Sequence, residues 1–393
     1  MKKIFFIFIL SLIVNCTSTL PYQQVTDLAK VSNTISEVQK ELLPDRRDAI
    51  FEVNVRQKKD KYMLLGQTDK LSLKKALINK LQEKNIPFID SIRLLPLEKY
   101  KNQTGVTRLS TANLRAQPKH AAELVTQTLM GMPLQILDTK NGFYRVKTPE
   151  GYYAWIDSAG IDIMDKTAYN NWIEQDKIIT TSLFGSIYSQ ADNTSLPVSD
   201  FVINDIFGIL SEEKGYAHIQ YPDGRTGYIS DKDYILLNEF IGTTRHYTTG
   251  YDVVNYARHY LGIPYLWGGT SSKGLDCSGF SKTVYAQMGY LLPRDASQQA
   301  QIGKTIEITD DYSQLLPGDL LFFGRIVNGK KKITHVAIHI DKGRIIHATG
   351  EVKIESLNPV DKDYNPARKR SLLLAKRIIG HYPQTFTDYY LKK

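Results

Sequence analysis

The chain has 393 residues, 42% of them hydrophobic and 23% charged, which suits about two to three globular domains and excludes a disordered tail, a collagen-like repeat and a polytopic membrane protein. Its net charge of +9 is spread along the chain rather than gathered into a block, which argues against a nucleic-acid binder. Two cysteines rule out a disulfide framework and a cysteine-based zinc module, while 24 tyrosines and 26 glycines favour a β-rich chain with many turns.

Residues 1–20 are expected to lie outside the fold. Lys2 and Lys3 precede an apolar stretch from Ile4 to Val14 that is short for a membrane span, the pattern of a signal peptide. It ends at Val14-Asn15-Cys16, which resembles a bacterial lipoprotein cleavage box with Cys16 as the lipidated first residue. The alternative is plain secretion with cleavage a few residues later. Both place the mature chain outside the cytoplasm, in the periplasm or at the cell surface, and lipidation would anchor it to the membrane. Cys277 is then the single thiol of an extracytoplasmic chain, which points to a use for its chemistry.

From Thr26 to Leu42, apolar residues at three- and four-residue steps predict a helix stopped by Pro44. Phe51, Val53 and Val55 alternate with polar residues as a strand, a second strand follows around Met63 to Leu65, Leu73 to Leu81 reads as a helix, and Phe88 to Leu95 as a strand. Residues 24–100 thus read as a small αββαβ domain. Its topology is similar to the BON-type domains of bacterial envelope proteins, with no function attached.

The middle of the chain repeats itself. Gly142-Phe143-Tyr144-Arg145-Val146, Pro149-Glu150-Gly151 and Trp155-Ile156 match Gly215-Tyr216-Ala217-His218-Ile219, Pro222-Asp223-Gly224 and Tyr228-Ile229, each pair 73 residues apart. Each copy reads as strand, tight turn, strand, with glycine supplying the left-handed turn position. With Asn113 to Pro118 opening the first copy, residues 104–162 and 178–238 resemble bacterial SH3 (SH3b) barrels. Thr167–Lys177 reads as the connector between them and Ile241–Gly250 as the linker to the last domain.

Residues 251–380 carry the chemistry. Asp252 to Leu261 is helical by pattern, and Gly274-Leu275-Asp276-Cys277-Ser278-Gly279-Phe280 leads into another helix ending at Gly289. Cys277 therefore stands at a helix N-terminus, where free N–H groups and the helix dipole are expected to favour the thiolate. Ile333 to Ile340 alternates strictly, with His335, Ala337 and His339 on one face. A turn at Asp341-Lys342-Gly343 leads to the strand Arg344 to Ala348, so His335 and His347 can lie side by side, one taking the thiol proton and the other orienting its ring. His339, roughly 13 Å along the strand from His335, reads as a bystander, and that distance also argues against a zinc site. Asp276 can cap the helix or meet substrate.

The set Tyr265-x-Trp267-Gly268-Gly269, Asp276-Cys277-Ser278-Gly279-Phe280, Pro293-Arg294, Pro317-Gly318-Asp319, Thr334-His335-Val336-Ala337-Ile338 and Ile346-His347-Ala348 resembles the NlpC/p60 cysteine peptidases. The resemblance implies an α+β, papain-like catalytic domain behind two small SH3-like β-barrels and the N-terminal αββαβ domain. It implies a catalytic Cys277–His335–His347 triad and cleavage of the γ-D-glutamyl bond to a diamino acid in peptidoglycan stem peptides. It also implies substrate contacts at Tyr265, Asp276, Ser278 and either Asp295 or Ser297. With paired barrels, the chain resembles the γ-D-glutamyl-L-diamino acid endopeptidases, expected to release L-Ala-γ-D-Glu from fragments with a free N-terminal L-Ala. No cofactor or metal is called for, and the expected state is a monomer meeting muropeptides and, through Cys16, the membrane. The competing classes are an acyl-transfer enzyme on the same core, a general hydrolase of intact wall anchored by its barrels, and a non-catalytic wall-binding protein.

Overall fold

The computed structural model describes residues 22–58, 61–383 and 386; residues 1–20, expected to be a signal peptide, and Cys16 lie outside them. No helix among the described residues is long and apolar enough to cross a membrane. The chain divides into two compact units, residues 1–94 and 95–393.

In the first unit α1 (Tyr22–Leu42), β1 (Phe51–Lys58), β2 (Lys61–Thr68), α2 (Leu71–Glu83) and β3 (Phe88–Leu94) follow one another. β1 and β2 form an antiparallel hairpin, and β3 returns parallel to β2 after α2 crosses over. The apolar stripes of the two helices bury Val31, Val38, Leu73, Leu77 and Leu81 together with Leu64 and Ile92. Each such side chain contributes about 1.5–3 kcal/mol.

The second unit begins with a seven-stranded sheet of β4 (Gln103–Thr107), β5 (Thr111–Arg115), β6 (Leu124–Leu129), β7 (Pro133–Lys140), β8 (Phe143–Lys147), β9 (Tyr153–Asp157) and β10 (Ile161–Asp165). After α3 (Lys166–Glu174) comes a second, of β11 (Lys177–Thr180), β12 (Phe184–Tyr188), β13 (Pro197–Val202), β14 (Ile206–Glu213), β15 (Tyr216–Gln220), β16 (Thr226–Ser230) and β17 (Tyr234–Leu236). Strands β5 to β9 and β12 to β16 have identical bounds once 73 is added, and the bulge at Ile136/Asp138 recurs at Ile209/Ser211. The order β10-β4-β7-β8-β9-β5-β6 is matched by β17-β11-β14-β15-β16-β12-β13. Both are SH3-like β sheets.

Ile241–Gly250 is not a plain linker. It falls largely within α4 (Leu237–Tyr247), whose Leu237, Phe240 and Ile241 are buried with Ile179, Ile206 and Ala286. Gly242 and the two threonines after it obscure this short apolar face in the sequence.

The remainder is α5 (Gly250–His259), the short pair β18 (Thr270–Ser271) and β19 (Gly274–Leu275), α6 (Cys277–Ala286), α7 (Ala296–Gln299), β20 (Lys304–Ile306), β21 (Leu320–Val327), β22 (Lys330–Asp341), β23 (Arg344–Thr349), β24 (Glu351–Ser356), α8 (Pro366–Arg370) and β25 (Leu372–Arg377). Its six-stranded sheet runs β20-β25-β21-β22-β23-β24. Phe280 and Val284 of α6 cover one face over Val336, Ile338 and Ile346. Tyr312, Leu315 and Leu357 cover the other over Leu321, Ala337 and Ile345.

Both β sheets grip the segment just before Cys277. Gln127 of β6 and Thr270 exchange three hydrogen bonds of 3.0–3.2 Å. Asp200 of β13, which stands 73 residues after Gln127, pairs with Lys273 and accepts Ser110 Oγ at 2.8 Å.

Candidate active site

Asp276 explains why α6 starts where it does. Its backbone is extended, and Oδ1 accepts Gly279 N–H at 2.7 Å, satisfying one of the helix's otherwise free donors. Oδ2 accepts Gly268 N–H at 3.0 Å, tying the Tyr265–Gly269 segment to the same carboxylate. Arg294 holds both oxygens, at 2.5 and 3.2 Å, and reaches Ser278 Oγ at 3.0 Å. Ser278 Oγ in turn donates to Oδ1 at 3.3 Å. Asp276 and Ser278 are thus engaged in holding the helix start, and Asp276 fills the capping role. Asp295, at the start of α7, and Ser297 are half-buried in the segment that carries Arg294.

The histidines descend a staircase across three strands. The pairing of Ile338 with Ile346 puts His347 opposite Ala337, so His335 is its diagonal neighbour on the same face. His335 Nε2 lies 2.7 Å from His347 Nδ1. On the next strand His347 pairs with Lys353, and Glu355 is again the diagonal neighbour. Its Oε2 stands 3.1 Å from His347 Nε2, at ion-pair distance though without hydrogen-bond alignment. Asn365 and Lys353 hold the same carboxylate at 2.9 and 3.1 Å.

This arrangement assigns the protons. A carboxylate facing His347 Nε2 at that distance requires the proton there, since two lone pairs would repel. His347 Nδ1 is then bare and accepts from His335 Nε2–H, which leaves His335 Nδ1 as the free base. Glu355 is held down at about 2, chiefly by His347. Sequence reasoning missed Glu355; its signal was the tight turn at Gly350, which sets the β23–β24 register.

Burial reverses the expectation for the thiol. Cys277 is 9% exposed, and desolvation, with the Asp276 charge, pushes its pKa up to about 11 against the pull of the Val336 and Ser278 N–H groups. His335 is pushed well below the usual histidine value, first by burial and then by Arg368 and His347. The resting pair is therefore neutral thiol and neutral imidazole, and the proton moves when the thiol attacks. Tyr265, raised to about 12 by burial and by the Cys277 and Asp276 charges, stays a neutral donor. His339 is buried as a structural residue, its Nδ1 3.0 Å from Leu316 O and its Nε2 accepting Gly343 N–H at 3.3 Å.

At the edge of the site, Glu123 of the first barrel accepts Trp267 Nε1–H at 2.8 Å. Gly268, at φ +78°, passes so close to Leu124 O that a Cβ there would lie 2.4 Å from it.

Residues 262–369 match the NlpC/P60 family, and residues 110–162 match the bacterial SH3 domain. A gamma-D-glutamyl-L-lysine dipeptidyl-peptidase of Bacillus cereus is 28% identical over 292 residues, 68% of this chain and 82% of that protein. Dipeptidyl-peptidase 6 of Lysinibacillus sphaericus is 29% identical over 280 residues, 68% of this chain and 96% of that protein. The crystal structure of an NlpC/P60 family protein from Bacillus cereus aligns with a TM-score of 0.58 and 22% identity. It covers 70% of this chain and 99% of that chain, a likeness of fold.

Two outcomes follow from this geometry. Arg294→Met strands the Asp276 charge, so thermal unfolding should show a loss of about 3–5 kcal/mol, with turnover falling alongside. His335, His339 and His347 all titrate below 6.5 in the fold. Their contribution to stability should therefore be complete above about pH 6.5 and fade as pH falls toward the folded values. Likewise kcat/KM should keep its acid limb below the ordinary histidine value; a limb above 6.5 would contradict a neutral His335.

Proposed function

We propose that the chain, whose residues 262–369 match the NlpC/P60 family, is a cysteine peptidase that hydrolyses the γ-D-glutamyl–diamino acid bond of peptidoglycan stem peptides. The observation that carries this reading is the pair His335–His347, 2.7 Å apart, with Cys277 opening α6 against Val336 of β22 and a bacterial SH3 barrel docked on the Trp267–Ser271 segment. The name of the Bacillus relative supports the choice of bond, and that of the Lysinibacillus relative the release of a dipeptide.

In this mechanism Cys277 Sγ attacks the γ-carbonyl carbon while its proton passes to His335. The new imidazolium is stabilised through His347 by the Glu355 charge. The carbonyl oxygen becomes an oxyanion facing the Cys277 N–H at the start of α6, with the Tyr265 hydroxyl as a second donor. The carbon–nitrogen bond then breaks, His335 returns the proton to the leaving amine, and water hydrolyses the thioester by the reverse sequence.

The finer reading is dipeptide release from free stem peptides. In the architecture this chain resembles, an SH3b barrel closes the end of the cleft that receives the N-terminal part of the substrate, and an acid there, Asp276 or Asp295 by sequence, would bind a free α-amine. Asp276 has its oxygens engaged by Arg294, Gly268 and Gly279. The exposed carboxylate of Glu123, bonded to Trp267, suits the role better. One charge-assisted bond contributes roughly 1.5–3 kcal/mol, about ten- to a hundred-fold in rate. A peptide still joined to its glycan has an amide in place of that amine. The second sheet, with the same strand order, is assigned as a second SH3b barrel. Lys2 to Cys16 is assigned as a signal peptide with lipidation at Cys16, which would place the enzyme on an extracytoplasmic membrane surface.

Cys277→Ala should remove all but a few per cent of turnover and leave the fold intact. Free L-Ala-γ-D-Glu-L-Lys should be cleaved at least ten-fold faster than its N-acetyl form, followed by mass spectrometry of products. Comparable rates would favour a general wall hydrolase. Wild-type protein should partition into membranes and Cys16→Ala should not; equal partitioning would favour plain secretion.

A further inference from the structure

Among the described residues, Arg368 has no ion-pair partner. It sits on α8 with its guanidinium carbon 5.2 Å from the centre of the Phe323 ring. Phe323 is the direct cross-strand partner of His335, their rings 5.8 Å apart. Arg368 Nε is buried with no hydrogen-bond partner, and among the described residues no carboxylate lies within ion-pair distance of the guanidinium. Other arginines of this domain that leave water are paired, Arg294 with Asp276 and Arg377 with Asp319 at 2.7 Å. The nearby Glu355 carboxylate is already held by His347, Lys353 and Asn365. A half-buried, planar, permanently charged group left open in this way fits an incoming carboxylate.

Its position indicates which one. His335 must pass its proton to the departing amine, so the leaving residue lies on the His335 side of the cleft. Arg368 stacks on the aromatic ring next to that histidine, and its charge reaches both His335 and Cys277. We propose that Arg368 is an anion subsite for a carboxylate of the leaving diamino acid. That carboxylate is either the α-carboxylate, two bonds from the scissile nitrogen, or the second carboxylate of a diaminodicarboxylic acid. The identity of the ligand rests on the peptidase reading above; the anion site itself does not.

Two measurements on the full chain test it. The first is alkylation of Cys277 by iodoacetate and by iodoacetamide, followed by mass spectrometry of the Cys277 peptide. In each reaction the sulfur displaces iodide, and only iodoacetate carries an anion. Arg368→Gln should lower the iodoacetate-to-iodoacetamide rate ratio at least five-fold and Arg368→Lys by less. Arg370→Gln, which removes an exposed charge from the same helix, should leave the ratio within two-fold. An unchanged ratio in Arg368→Gln, or an equal drop in Arg370→Gln, overturns the subsite. The second compares cleavage of L-Ala-γ-D-Glu-L-Lys, its C-terminal amide, and the meso-diaminopimelate tripeptide bearing an α-amide. Preference for the free lysine acid over its amide, lost in Arg368→Gln through KM, identifies the α-carboxylate. Preference for the diaminopimelate amide over the lysine amide, lost in the same variant, identifies the distal one. Equal rates on all three in the wild type overturn the proposal. Failure to cleave any of them would defeat the peptidase reading, while the alkylation ratio would still decide the anion site.

Discussion

Asp276 and Arg294 meet inside the catalytic domain at 2.5 Å, 6% and 3% exposed, and the carboxylate holds together three pieces of chain. It caps α6 through Gly279 N–H, fixes the glycine loop through Gly268 N–H, and through Arg294 anchors the segment entering α7. Apolar groups of equal volume could match such a pair in stability, but they would leave those two buried N–H groups without acceptors. The pair is retained for position: it decides where the Cys277 sulfur stands relative to β22, and the oxyanion donors and the base are useful only at that point.

The depth of that position sets the acid–base chemistry. A helix N-terminus lowers a thiol pKa, but desolvation at 9% exposure opposes it and prevails, so Cys277 rests protonated. The same burial keeps His335 neutral and ready to accept. What compensates is the line His335–His347–Glu355, in which His347 Nδ1 accepts from His335 and the Glu355 carboxylate faces His347 Nε2 at ion-pair distance. Charge created at His335 is spread toward a carboxylate that lies two strands away.

The two SH3-like sheets show how one strand plan can serve two ends. Gln127 and Asp200 occupy the same place in their sheets, and both bind the Thr270–Lys273 segment. One does so with a neutral amide that exchanges bonds with backbone and hydroxyl, the other with a charge that meets Lys273. The loop carrying Gly268 is thereby clamped before it reaches the nucleophile.

Much of this was legible from residue order. Cys277 at a helix start, His335 and His347 on neighbouring strands, and the 73-residue spacing all depend on local periodicity and turn residues, which act over a few positions. The helix across Ile241 was missed because its apolar face is short and interrupted by Gly242. Glu355 was missed because its place beside His347 depends on the exact register of a second hairpin. Arg368 was missed because it reaches Phe323, 45 positions earlier in the chain, only after the sheet has formed. The sequence by itself determined that a cysteine opens a helix and that two histidines stand on neighbouring strands, since identity and short-range spacing suffice for that. Only the tertiary structure decided their protonation, their partners and the open charge at Arg368, because desolvation and Coulomb energies depend on neighbours that chain order does not place.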